Sequence, residues 1–550
     1  MSNMDTVAKR LLPRLLPWLL GAAAFLLVAS TASHYGLGWD EPRYFHASDL
    51  ETRWILGFGE DLLKGQVARS LDDNTIKAAW YWQPYYVPHP PFSRIVSGLT
   101  KAIFFPILDK FTAYRLAPAL FFGLLVTVMC VWIAEVFSPV AGLFAALSLA
   151  VMPNLFGLAH IALTDIPLTT LWFLTVYCFW RGLKSWRWSV LLGIVWGLAL
   201  ATKFPAFLIP IPLLLWAHLY HRQAYANNLF AMIFLSPVVM VISNPYLWHQ
   251  TLPRIATFLY DSVSRGFRPE TNFPIFFFHE YYTTSTLPWY YPFFMIGVTV
   301  PEPILFLALA GIISMVWLKP QREIIALFLV NAGFVLVTGL FPGAVLHDVT
   351  RLMLPAMPFA VGLASCSFYV LVRYLTEGGW RITAIQRIAG LRAKVIGGLS
   401  FLLLFPAALD LFAYHPYELS YYNRLVGGIK GAYERGLEVT YFMEAFTPGF
   451  LQYLNGRLPP NATINASFSN FMFRYYQGEG LLRPDLKITD SHDFDYYILL
   501  NRRTTFSDAD TAFLATKPVI HDAWRFNGVP FVYILEPRRG VAQSAPQSPS

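Results

Sequence analysis

The chain has 550 residues, of which 56% are hydrophobic and only 13% charged, with a formal net charge of +8. Soluble domains carry roughly a quarter charged residues, so this composition excludes a string of soluble domains and points to a bundle of membrane spans with appendages. The positive balance reads as topology, with basic residues gathered on cytoplasmic loops, rather than as the footprint of a nucleic-acid partner.

The N-terminal stretch "MDTVAKRLLPRLLPWLLGAAAFLLVAS" sets basic residues before a long apolar run, and reads as an uncleaved first span over 15–31. Apolar runs follow at 116–133, 140–158, 167–180, 190–202, 204–218, 229–242, 304–318, 324–340, 352–371 and 395–409, giving about eleven candidate spans. Cys130, Cys178 and Cys366 all lie inside such runs and read as small core residues, not as a disulfide framework.

Basic clusters set the orientation, because Lys and Arg in short loops stay cytoplasmic. These clusters are Lys9, Arg10, Arg14; Arg181, Lys184, Arg187; Arg222; Lys319, Arg322; and Arg373, Arg381, Arg387, Arg392, Lys394. All are cytoplasmic only if an even number of spans separates each from the next. Parity therefore makes 95–108 an amphipathic helix on the outer interface, with Arg94 and Lys101 towards headgroups, and puts Lys203 at the tip of a hairpin turning at "ATKFP".

The same parity collects the polar motifs on the outer face. "GLGWDEPRYFHASD" places Asp40 and Glu41 just past the first span, at the height where a base meets both lipid and water; as helix-flanking acids they are ordinary. "YYVPHPPFSRI" puts His89 before two prolines that start the next helix and brings Arg94 after it, as a plain helix-entry turn or as donors towards a phosphate. "LAHIALTDIPLTT" sets Asp165 at the mouth of a span, where it is either an N-cap before Pro167 or a site carboxylate. "PGAVLHDVTRLMLPAMPFA" brings His347, Asp348 and Arg351 to another span start, Arg351 being either a snorkelling anchor or a phosphate contact. No P-loop, GxGxxG after a strand, HExxH, GxSxG or CxxC motif competes. The cysteines make no zinc site, although His and carboxylate side chains from different loops could bind a metal.

Domain organisation follows. Residues 1–411 form an all-α polytopic membrane module, with a first outer loop at 34–115 and a long outer loop at 244–301. Residues 412–540, with strand-like "ATINASF" and "DYYILLNRR" around a helical stretch, read as a small extracytoplasmic α/β domain, and 541–550 as a disordered tail.

Taken in order, the Asp-Glu pair after the first span, "HPPF", "ALTDIPLTT", "LATKFPAFLIP", "LPWYYPFFMIGVTVPEPIL", "RLMLPAMP" and the tail stretch "HPYELSYYNRLVGGIKGA" resemble the GT-C glycosyltransferases. The branch is similar to the phospholipid-carrier-dependent enzymes related to protein O-mannosyltransferases and the lipid A aminoarabinose transferase. By that resemblance Asp40 matches the catalytic carboxylate, Glu41 its acidic neighbour and Asp165 the acidic residue of the second outer loop. His89 stands where aminoarabinose transferases have lysine, which argues against that type, and the lack of MIR repeats argues against the eukaryotic protein O-mannosyltransferases.

The resemblance implies a GT-C-like fold in the bacterial inner membrane, N-terminus cytoplasmic and site outside. It implies inverting transfer of a hexose or pentose from a polyprenyl-phosphate sugar donor to a hydroxyl-bearing acceptor (protein Ser/Thr, lipid or glycan), with no cofactor and no obligatory metal. In that reading Asp40 is the base, and His89, Arg94, Lys203 and Arg351 face the donor phosphate, with His347 and Asp348 as additional candidates. The alternative is a transporter or flippase of lipid-linked sugars. It calls for ionisable residues near mid-bilayer and related repeat halves, whereas these charges cluster at one face.

Overall fold

The computed structural model describes residues 2–81, 89–268, 274–341, 344, 346, 348–377 and 390–538. Helix α1 (Ser2–Thr31) crosses α5 (Lys110–Val136) at very close range. A Cβ on Gly21 would stand 2.5 Å from the carbonyl oxygen of Gly123, and one on Gly123 2.6 Å from that of Gly21. Only glycine at both positions lets the two backbones meet, the packing that apolar helices use when water supplies no driving force.

Between these helices lie α2 (Glu41–Leu63), α3 (Asp73–Trp80) and α4 (Phe92–Phe104). The expected interfacial segment is indeed helical, beginning directly after Pro91, but its polar face is turned inward. Ser93, Arg94, Ser97 and Thr100 are buried while Ile103 is exposed. Arg94 and Lys101 therefore do not face headgroups as expected. Carboxylates on α2 claim them instead, Arg94 bonding Glu51 and Lys101 bonding Asp49 at 3.2 Å.

The bundle continues through α6 (Pro139–Ala150), α7 (Pro153–Leu158), α8 (Asp165–Gly182) and α9 (Trp186–Leu200). The apolar run 140–158 is thus cut in two, because Pro153 has no N–H to continue α6 and fixes the start of α7. The apolar run 190–218 is divided as well: α9 ends at Leu200, a turn follows at 201–203, and α10 (Pro210–Tyr220) begins after it. Then come α11 (Ala226–Phe230), α12 (Ser236–Ile242), α13 (Thr251–Ser264), α14 (Tyr291–Thr299), α15 (Glu302–Ile313), α16 (Arg322–Thr338), α17 (Val349–Leu352), α18 (Ala356–Glu377) and α19 (Leu391–Tyr414).

Among the described residues, five helical stretches are long and apolar enough to cross a membrane: Arg14–His34, Lys110–Val136, Lys319–Thr338, Ala356–Leu375 and Leu391–Tyr414. Five shorter apolar helices accompany them. Length and composition alone therefore do not reach the eleven spans expected, since prolines and turns shorten several of the apolar runs.

Beyond α19 the chain builds a five-stranded sheet of order β4-β3-β5-β7-β6. Its strands are β3 (Thr463–Asn465), β4 (Lys487–Ile488), β5 (Tyr496–Leu500), β6 (Val519–Phe526) and β7 (Val529–Glu536). β3 runs parallel to β4 and β5, with the helix Asn470–Gly478 between β3 and β4, and β7 is antiparallel to β5 and β6. A short hairpin of β1 (Ile275–Phe277) and β2 (Glu280–Tyr282) projects from the long loop before α14. The tail 541–550 lies outside the described residues.

Candidate active site

One arginine organises the polar end of the bundle. Arg351, on the short helix α17, places Nε 2.9 Å from Asp165 Oδ2, Nη1 3.3 Å from Asp348 Oδ2 and Nη2 3.4 Å from Asp40 Oδ2. Its guanidinium carbon lies 4.3 Å from the centre of the Phe442 ring. Lys203 Nζ bonds the other oxygen of Asp165 at 2.8 Å. Residues from four separated stretches, Asp40, Asp165, Lys203 and Asp348 with Arg351, thus form one continuous charge cluster.

The three carboxylates are not equivalent. Side chains of Asp165 and Asp348 are 3% and 5% exposed, and each bonds two cations. Asp40 is 28% exposed and touches Arg351 through its longest contact. A carboxylate must be partly free of cations and open to an incoming group to accept a proton, and Asp40 alone of the three satisfies both conditions.

Local sequence explains how Asp40 is held. It is the residue before α2, with Pro42 in the first turn and its own carbonyl accepting the N–H of Arg43 and Tyr44. Glu41, next to it, points the other way and is fully buried. Its Oε1 accepts Arg115 Nε at 3.0 Å and the Ala162 N–H at 2.8 Å, and its Oε2 accepts Arg115 Nη2 at 2.7 Å and the Gly38 N–H at 2.8 Å. Arg115 also donates to the carbonyls of Ala32, Tyr35 and Gly36. The expected catalytic place for Glu41 is corrected accordingly: with its oxygens enclosed by donors it presents nothing to a substrate, and it ties the Asp40 loop to α5 and to the segment before α8.

Asp165, Lys203, Arg351 and His89 line one side of a cavity of ≈ 420 Å³. Much of its remaining wall is apolar, including Leu168, Trp172, Leu208 and Val335, and Arg265 adds a further cation. A second cavity of ≈ 520 Å³ meets the first at His89. Burial, with Lys203, Arg265, Arg351 and Arg94 around it, holds the His89 imidazole well below its ordinary value, so it is neutral at pH 7.

Arg94 also lines the second cavity, but its guanidinium is engaged. Nε and Nη2 bond Glu51 Oε1 at 2.9 and 2.6 Å, and Nη1 bonds the His89 carbonyl at 2.6 Å. It braces His89. His347 lies outside the described residues. Among the described residues no group of three or more His, Cys, Asp and Glu is arranged to hold a metal ion.

Sequence reading missed Arg115, Glu51, Arg265 and Phe442. Arg115 carried a usable signal, an arginine next to the apolar run of α5, since ionisable residues in or beside spans are rare without a partner. Phe442 and Arg265 carried none.

Residues 88–249 match the family described as dolichyl-phosphate-mannose-protein mannosyltransferase. That stretch contains His89, Arg94, Asp165 and Lys203, while Asp40 and Arg351 lie outside it. No curated protein matches the chain in sequence. Among solved structures, ArnT from Cupriavidus metallidurans bound to undecaprenyl phosphate is 14% identical with a TM-score of 0.48, covering 96% of this chain and 99% of that one. Its apo state is 15% identical with a TM-score of 0.46, covering 94% and 97%. The Archaeoglobus fulgidus oligosaccharyltransferase is 12% identical with a TM-score of 0.44, covering 88% and 68%. Residues 88–249 are thus similar to the dolichyl-phosphate-mannose-protein mannosyltransferase family, in agreement with the resemblance read from the sequence.

Proposed function

We propose that the protein transfers a sugar from a polyprenyl-phosphate carrier to an acceptor hydroxyl at the extracytoplasmic face of the membrane. The observation that carries this reading is the inequality of the three carboxylates around Arg351: two are buried and doubly paired, and the third, Asp40, is partly open. Cations and an apolar wall in one cavity suit a lipid phosphate, and the family match supports a carrier of that class.

In this reading Asp40 takes the proton of the acceptor hydroxyl as its oxygen attacks the anomeric carbon. The bond from that carbon to the phosphate oxygen breaks, the configuration inverts, and polyprenyl phosphate leaves. Arg351 and Lys203 stabilise the charge that builds on the leaving oxygen, and Asp165 keeps both cations in place. His89, at the junction of the two cavities, offers a hydrogen bond to the donor. General-base assistance is worth about 10²- to 10⁴-fold in rate, or about 3 to 5 kcal/mol. Orientation of donor and acceptor supplies the larger part.

The test is reconstitution of the purified full chain with polyprenyl-phosphate hexoses and pentoses and an extract of envelope acceptors. Release of polyprenyl phosphate coupled to acceptor glycosylation is the expected result. Movement of the lipid-linked sugar across vesicles with the sugar–phosphate bond intact would replace this reading by transport.

A further inference from the structure

Arg502 comes from the C-terminal domain, two residues beyond β5, and is only 8% exposed. Its Nη2 bonds Asp348 Oδ1 at 2.9 Å, its Nη1 bonds the Tyr441 carbonyl, and its Nε bonds Thr504 Oγ1 at 3.1 Å. Both of the first two partners lead to Arg351. Asp348 uses its other oxygen on Arg351 Nη1, and Phe442, which follows Tyr441, lies with its ring under the Arg351 guanidinium. The contacts close a ring from Arg502 through Asp348, Arg351, Phe442 and Tyr441 back to Arg502.

Buried carboxylates hold the backbone on both sides of this ring. Glu444 is buried and accepts the N–H groups of Tyr441 and Phe442 at 2.9 and 2.5 Å, across a turn in which Met443 has a left-handed φ of 63°. A non-glycine residue keeps that conformation only where its neighbours fix it. Glu438, also buried, accepts the N–H groups of Arg503 and Thr504 at 2.8 and 3.2 Å and holds the backbone that presents Arg502. On the far side, the Phe442 carbonyl accepts the Trp39 N–H at 3.2 Å, one residue before Asp40.

We propose that Arg502 is a positioning residue of the site, through which the C-terminal domain sets the direction of the Arg351 guanidinium. Without Arg502, Asp348 keeps a full charge beside Arg351 with one cation fewer to balance it, and draws Arg351 away from Asp40 and the cavity. The Tyr441 carbonyl, next to Phe442, loses its bond from Arg502 at the same time. The inference rests on the reading that Arg351 faces the carrier phosphate.

The experiment measures binding of polyprenyl phosphate and of the uncharged polyprenol to the purified full chain, alongside its thermal midpoint. Arg502→Ala should lower the preference for phosphate over alcohol by roughly 10-fold, and Arg502→Lys should recover part of it, since lysine reaches Asp348 without the fork that also holds Tyr441. In an Asp348→Asn background, Arg502→Ala should change the preference by less than about 3-fold, because the two act along one chain of contacts. If wild type shows no preference, the reading of Arg351 falls and this inference with it. If wild type prefers the phosphate while Arg502→Ala and Asp348→Asn both keep that preference, Arg502 only braces its domain and the inference alone is overturned. Should Arg502→Ala fail to fold, Arg502→Lys and Asp348→Asn decide on the same ratio.

Discussion

Asp40 Oδ2 and Arg351 Nη2 stand 3.4 Å apart although 311 residues separate them in sequence. The contact is long enough to orient the carboxylate without closing it off. Shorter bonds take Arg351 to Asp165, so its charge is shared before it reaches Asp40.

Asp40→Asn keeps shape and hydrogen-bonding capacity and removes basicity. Turnover should fall by at least about 10²-fold while equilibrium binding of the donor stays close to wild type. Steady-state rates and donor binding on the same purified protein check this. Near-normal turnover would take the base role from Asp40.

Glu41 should behave differently, because its work is mechanical. Truncating one member of a buried ion pair leaves the other charge uncompensated and costs about 3 to 5 kcal/mol. Glu41→Ala and Arg115→Ala should each lower the thermal midpoint sharply and reduce the yield of folded protein. Glu41→Gln should also lower the midpoint, because it leaves the Arg115 charge unbalanced and turns an NH2 group towards two donors. If Glu41→Ala leaves the midpoint unchanged and abolishes turnover, Glu41 belongs to the chemistry after all.

What the sequence makes legible follows from what is local in it. Apolar runs mark where helices lie, and proline pairs mark starts such as that of α4. The break in the apolar run at Lys203 follows from the parity of basic loops. Pairings between distant stretches leave no local trace, so Arg94 reads as a free surface cation when it is locked to Glu51, and Glu41 reads like its neighbour when it faces the opposite way. The β6–β7 hairpin is a different case, since Asn527-Gly528 is a recognised turn signal, realised here between the two strands with both residues at positive φ. Arg502 could not be found from sequence: its place beside Asp348 exists only once the C-terminal domain folds onto the bundle.

Sidedness is open to direct test at exposed positions. In a background with Cys130, Cys178 and Cys366 replaced, Ser285→Cys and Ser491→Cys should react with an impermeant thiol reagent added to intact cells. Arg187→Cys and Arg222→Cys should react only after permeabilisation. These side chains are exposed, so failure to label reports the membrane and not burial. The reverse pattern would place the cluster around Arg351 on the cytoplasmic side.

The last prediction uses two groups joined by Arg94. Burial pushes the Glu51 carboxyl up from 4.5 to about 7 against the pull of Arg94, and burial among cations pushes the His89 imidazole well below 6.5. Their pH slopes oppose each other. For Glu51 the folded state binds the proton more tightly than the unfolded chain, so its contribution to stability is lost as pH rises from about 4.5 towards 7. For His89 the unfolded chain binds the proton more tightly, so stability is lost as pH falls below about 6.5. Between about pH 5 and 6.5 the two partly cancel in the wild type. His89→Gln should leave the Glu51 slope alone, so that the apparent midpoint rises, relative to wild type, as pH falls from 7 to 5. Glu51→Gln, which still accepts the Arg94 hydrogen bonds, should leave the His89 slope and give the opposite trend. Thermal midpoints in detergent at a fixed scan rate, taken from pH 5 to 8, separate the two. Curves for both variants that run parallel to wild type would show that neither group changes its proton affinity on folding.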